Sequence, residues 1–129
     1  MDCIFCKIIA RQLPSYIIAE DKSTIVWVSL EGHPLVVPKE HIPDIFSLND
    51  TLASRIMNVT REVARATKEG LGADGIYITQ TNGVAAGQSV FHYHLHVYPK
   101  WTDGRILDRG DDSRKRTMEK VRAFLQMQV

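Results

Sequence analysis

Apolar and polar positions change their period several times along the chain. Tyr16 to Glu20 and Thr24 to Ser29 alternate and are rich in β-branched and aromatic residues. With Asp21-Lys22-Ser23 between them, they predict a two-stranded hairpin. Pro34-Leu35-Val36-Val37-Pro38 reads as a third short strand, closed by proline at both ends. The period then lengthens. Leu52, Ile56, Val59, Val63 and Ala66 recur at steps of four and three, which predicts a long amphipathic helix with one face for a sheet. Ser47 followed by Asp50 resembles a capping box at its start, Gly70 ends it, and Met57 is expected at the edge of the core. Ile76 to Thr81 and Phe91 to Tyr98 return to strand periodicity, the second ended by Pro99. After the polar loop Trp101 to Gly110, Asp111-Asp112-Ser113 starts a last helix, acidic where the helix dipole favours it. Its apolar positions are Met118, Val121, Phe124 and Leu125. Before the hairpin, Asp2 to Ala10 forms a short helical turn that Pro14 and Ser15 break.

Five strands and two substantial helices make one α+β domain over residues 1–129. At that length about two-thirds of the unfolded surface can be buried. A hydrophobic fraction of 44% and a charged fraction of 24% are those of an ordinary globular protein. A net charge of +1 advertises neither a nucleic-acid nor a membrane surface. No apolar run reaches the roughly 20 residues of a membrane-spanning helix, and no signal peptide opens the chain, so a cytoplasmic protein is expected.

The candidate chemistry centres on Phe91-His92-Tyr93-His94-Leu95-His96-Val97-Tyr98. On a strand, alternate side chains share a face, so His92, His94 and His96 form a row backed by Tyr93, Leu95 and Val97. At about 3.3 Å per residue, neighbours in the row stand about 6.6 Å apart and the outer pair about 13 Å. One metal ion with bonds of about 2 Å can take two adjacent members, hardly all three. At least one is left for nucleophilic or acid–base work. Three of the five histidines on alternate positions of one strand argue against a merely polar outer face.

The preceding loop, Asn82-Gly83-Val84-Ala85-Ala86-Gly87-Gln88-Ser89, is small-residued, and its two glycines let backbone amides approach a ligand closely. Gln88 and Ser89 add side-chain donors, a combination that suits a phosphate; an ordinary hairpin turn is the competing reading. The only two cysteines, Cys3 and Cys6, form one Cys-x-x-Cys. A thioredoxin-like redox pair belongs after a strand at a helix start, whereas these lie at the N-terminal end of the sequence; half a metal site is the better reading.

Taken together, Gly87-Gln88-Ser89-Val90-Phe91-His92-Tyr93-His94-Leu95-His96-Val97 resembles the histidine triad (HIT) family motif, His-φ-His-φ-His-φ-φ with φ apolar. Gly32-His33 before the third strand and Pro38-Lys39-Glu40-His41 at its end match the family's second landmark. The resemblance implies the HIT fold: an antiparallel sheet of about five strands, a long central helix and a C-terminal helix, paired into a homodimer with a continuous sheet. It implies a structural zinc on Cys3, Cys6, His41 and His92, with no organic cofactor. It makes His94 the nucleophile at the α-phosphorus of a purine nucleotide phosphoramidate or related adenylate, as in the HINT branch. His96 would act as donor or general acid and His33 would support the nucleophile. Gly87, Gln88, Ser89 and Asn82 would hold the phosphate. Alternatives are a dinucleoside polyphosphate hydrolase, as in the Fhit branch, a weakly catalytic nucleotide-binding module, and a hydrolase using the histidine row as an open zinc site.

Two departures from the family pattern stand out. The run whose aspartate holds the ribose hydroxyls is about four residues short here, Ser29-Leu30-Glu31 reaching directly to Gly32, with Glu31 as the nearest stand-in. The family's asparagine two residues before Gly83 is Thr81.

Overall fold

A computed structural model describes residues 2–127; Met1 and residues 128–129 of the expected 1–129 domain lie outside it. In chain order it contains α1 (Ile4–Ile9), β1 (Tyr16–Glu20), β2 (Thr24–Val28), β3 (Pro34–Pro38), α2 (Asp50–Leu71), β4 (Gly75–Thr79), β5 (Leu95–Lys100) and α3 (Asp111–Phe124). The five strands form one antiparallel sheet in the order β1-β2-β3-β5-β4. This is the expected architecture.

Strand alternation sorts the side chains into two layers. Val26 and Val28 of β2, Val36 of β3, and Tyr93, Leu95 and Val97 pack under α2 and α3. Ile25, Trp27, Leu35 and Val37 face the other way and are covered by Phe5 and Cys3 of the N-terminal segment. The histidine row shares this second face: the ring of His94 lies 4.9 Å from that of Phe5.

Several boundaries differ from those the sequence predicts. The cap of α2 is Asn49, whose Oδ1 accepts from Leu52 N–H at 2.8 Å. Ser47 instead ends a 3₁₀ turn, Ile45–Ser47, capped by Asp44. Asp44 and Asn49 each accept from a backbone N–H two or three residues on, so the two successive turns have separate caps. Helix α2 also runs through Gly70 and ends at Gly72, left-handed at φ 62°. Gly70 serves packing: a Cβ there would lie 2.5 Å from the carbonyl oxygen of Lys120 in α3. Met57 and Phe124 are exposed, at 56% and 45%, rather than packed. Their helices present more apolar positions than the sheet covers.

The histidine segment is regular only from Leu95. Pro99 lies inside β5, opposite Ile76 of β4. It is tolerated because β5 there has passed the Leu35 and Val36 pairs that join it to β3, so one side of the strand is free. Upstream, Tyr93 N–H donates to the Ile42 carbonyl at 2.6 Å instead of joining a ladder with β4. The alternation of faces nevertheless persists through residues 92–96. At the opposite edge, β1 carries an irregularity between Ile17 and Ala19, and the Arg122 guanidinium of α3 donates to the carbonyls of Ile17 and Ile18.

Candidate active site and metal centre

Cys3 and Cys6 open α1. Cys3 is its N-cap, and its Sγ accepts from Cys6 N–H at 3.4 Å. The helix turn thereby aims both sulfurs at His41, just after β3, and at His92. Cys6 Sγ lies 3.3 Å from Nδ1 of His41 and 3.6 Å from Nδ1 of His92; Cys3 Sγ lies 3.6 Å from the same His92 nitrogen. All four donor atoms fall within 4.8 Å of one another. A tetrahedral zinc with bonds of about 2.3 Å to sulfur and 2.0 Å to nitrogen has sulfur–nitrogen edges of about 3.5 Å. The donor set fits that ion. His92 is further prepared for it, since its Nε2–H donates to the Pro38 carbonyl at 2.8 Å, leaving Nδ1 as the free lone pair.

The next two members of the row point to different work. His94 is buried, and its Nδ1–H donates to the His92 carbonyl at 2.7 Å. In the neutral ring the lone pair is then on Nε2. Burial pushes its pKa down, against the pull of that hydrogen bond. The rings of His94 and His96 are 4.9 Å apart. His96 Nδ1 faces Nε2 of His33 at 2.8 Å, and His33 Nδ1 faces Ser29 Oγ at 3.2 Å. Ser29 Oγ also lies 3.3 Å from the backbone N–H of His33 and accepts from it, which frees its own hydrogen for His33 Nδ1. With the hydroxyl donating to Nδ1, the proton of neutral His33 lies on Nε2 and is donated to His96 Nδ1, and that of His96 lies on Nε2. Burial lowers the His33 pKa to about 3, reinforced by His96, His94, Lys100 and Arg109, and burial also lowers that of His96. Both rings are therefore neutral at pH 7.

The loop before the row is tighter than its composition suggests. Gly83 and Gly87, at φ 93° and 95°, flank a 3₁₀ turn, Val84–Ala86. The Gln88 amide is buried: its Oε1 accepts from Gly83 N–H at 2.7 Å, and its Nε2 donates to the carbonyls of Pro43 and Val90 at 2.6 and 3.1 Å. Asn82 Oδ1 accepts from Ile45 N–H at 2.7 Å, and its amide exchanges bonds with Gln80. Both amides, expected at the phosphate, are engaged within the loop base in this structure. Backbone groups at the loop base find their partners in these two side chains. Gly87 and Ser89 are the exposed members.

Ser29 is the residue that sequence reasoning undervalued. It appeared as the remnant of a shortened run, and only its spacing of four from His33 hinted at a contact. Glu31, the stand-in for a ribose-binding acid, pairs instead with Arg109 at 3.5 Å.

A zinc-shaped Cys2His2 cluster beside a histidine row on an antiparallel sheet defines a class of small α+β proteins. The HIT domain family model matches residues 10–103, and the chain belongs to that family. It is 38% identical over 107 residues to Protein hit of Bacillus subtilis, covering 80% of this chain and 74% of that one. It is 32% identical to adenosine 5'-monophosphoramidase hnt1 of Schizosaccharomyces pombe, over 96% of this chain and 93% of the relative. Among solved structures, a zinc-bound histidine triad family protein from Mycobacterium smegmatis superposes with a TM-score of 0.85 at 35% identity, covering 95% and 92% of the two chains. The cluster of Cys3, Cys6, His41 and His92 fits the zinc-binding variant of the family. Among the described residues, no helix is long and apolar enough to cross a membrane.

Proposed function

We propose that this protein is a nucleotide hydrolase or transferase acting at the α-phosphate of purine nucleoside phosphoramidates, or related adenylates, through a covalent nucleotidyl-histidine. The His94–His92 hydrogen bond carries this reading, because it fixes the nucleophilic lone pair on Nε2 of His94. In the first half-reaction, Nε2 bonds to the α-phosphorus while the phosphorus–nitrogen bond to the leaving amine breaks. With the anionic phosphate beside it, His96 takes up a proton as substrate binds, and the departing amine takes the Nε2 proton of that imidazolium, leaving His96 neutral with Nε2 free. In the second, water attacks phosphorus, its proton passes to His96, the bond to His94 breaks, and the nucleoside monophosphate leaves. Ser89 and Gly87 contact the phosphate, while Asn82 and Gln88 hold the loop in shape for it. The adenosine monophosphoramidase relative, at 32% identity, supports the substrate class.

Zinc on Cys3, Cys6, His41 and His92 would tie three segments of the chain together and take no part in bond making. We place the protein in the cytoplasm as a homodimer that continues the sheet across β4, where Tyr77 and Ile78 are exposed. Mass spectrometry after brief mixing with adenosine 5'-phosphoramidate tests the central step. Wild type should gain a transient adenylate that His94→Ala lacks. Nucleotide binding without adduct or turnover would make the protein a binding module.

A further inference from the structure

Next to the histidine row, on its far side from the metal cluster, lies a cavity of about 210 Å³. Its lining includes Glu31, His33, Tyr98, Lys100, Arg105 and Arg109, so three cationic side chains face one carboxylate. The walls are fixed at both ends. Trp101 Nε1–H donates to the Gly72 carbonyl at 2.9 Å, and Thr102 N–H to Asp74 at 2.7 Å. At the other end the backbone of Asp108 lies directly against the β2–β3 turn. A Cβ on Gly32, which has φ 102°, would stand 3.0 Å from the Asp108 carbonyl oxygen. The short turn and the 101–110 loop thus close on each other and leave the basic hollow between them.

Its charges are available. Arg109 meets Glu31, and Arg105 meets Asp103, only through exposed pairs, which water screens strongly. Lys100 makes no ion pair among the described residues; its ammonium sits 5.5 Å from the Tyr98 ring centre. The hollow also adjoins the histidine row through His33. From His94 to His96 and from His96 to His33 the ring centres step 4.9 and 5.1 Å, and His33 lines the cavity. A ligand whose phosphate sits at His94 reaches the hollow across a ribose or a short amine.

We infer that the cavity formed by Lys100, Arg105 and Arg109 beside His33 binds a second phosphate group of the substrate, separate from the one attacked by His94. The inference rests on the proposed phosphoryl chemistry for the identity of the first phosphate. Two sources share this chemistry: a 2'- or 3'-phosphate on the nucleoside itself, or a phosphate on the leaving amine.

Equilibrium titration separates them and requires no turnover. The His94→Ala protein would be titrated with AMP, adenosine 3',5'-bisphosphate, adenosine 2',5'-bisphosphate, and AMP joined through nitrogen to phosphoethanolamine. At low salt at least one doubly phosphorylated ligand should bind about tenfold more tightly than AMP, since a charge-assisted contact contributes on that scale. Which ligand gains identifies the source. The advantage should shrink with added salt, collapse in the Lys100→Ala/Arg109→Ala background, and return in large part with Lys100→Arg/Arg109→Lys. Equal affinity for all four ligands, or an advantage that survives the double alanine variant, overturns the inference. Adduct formation by wild type is scored separately, so loss of the His94 chemistry and loss of the second phosphate site are distinguishable results.

Discussion

Nε2 of His33 and Nδ1 of His96 lie 2.8 Å apart with a single proton between them. Because Ser29 Oγ faces the other nitrogen of His33, the tautomer of His96 is coupled to a hydroxyl three groups away from the substrate. Ser29→Ala removes the group that holds Nδ1 of His33 as an acceptor. The variant should lose about tenfold in kcat with amine leaving groups, which need a proton, and far less with fluoride, which does not. Parallel kinetics with adenosine phosphoramidate and adenosine phosphorofluoridate check this. An equal loss on both substrates would show that Ser29 only packs.

His33 should remain neutral well into acid. Its folded pKa, about 3, lies below the ordinary value of 6.5 because the ring is buried among other cationic groups. Folding therefore excludes a proton that the unfolded chain binds. The contribution to stability is complete above pH 6.5 and is lost progressively as pH falls towards 3. Long-range nitrogen–proton NMR should find this imidazole uncharged at pH 5. A midpoint near 6.5 would contradict the network.

Chelation should lower stability and leave the chemistry in place. Removing zinc, or substituting Cys6→Ser, is expected to cost at least about 2 kcal/mol, roughly 6–10 °C in Tm for a domain of this length. The adenylate burst per folded molecule should persist. Abolition of the burst by chelator, with Tm unchanged, would instead favour an open catalytic zinc site.

Gly70→Ala tests the contact between α2 and α3. In an exposed helix the change stabilises by up to about 1 kcal/mol. Here the added methyl meets the Lys120 carbonyl oxygen at 2.5 Å, so the helices must separate. Destabilisation of about 1–3 kcal/mol is expected from chemical denaturation. Any gain in stability would show the helices free to slide.

Much of this was legible in residue order. Strand alternation at residues 92–97 assigns faces even where the ladder is irregular, because side-chain direction depends on local backbone alone. The four metal donors followed from motif resemblance, since Cys-x-x-Cys on one helical turn and two positioned histidines leave little freedom. What spacing could not show was how polar groups pair across the fold. Gln88 and Asn82 look like ligand donors until the carbonyl of Pro43 and the amide of Ile45 are brought next to them. Gly70 looks like a helix stop until α3 arrives. Ser29 is silent until His33 turns back onto it.

The sheet has two unlike borders. At β1 the ladder is interrupted between Ile17 and Ala19, and Arg122 occupies the carbonyls of Ile17 and Ile18, so another strand finds a less regular edge there. At β4, Tyr77 and Ile78 stand exposed on an uninterrupted register. A sheet that can be extended from one side only cannot polymerise. Two copies joined through β4 about a two-fold axis would use up both open borders and present a blocked one at each end. Assembly by strand addition through β4 would then stop at two copies, with the arginine that secures the last helix guarding the far border of each.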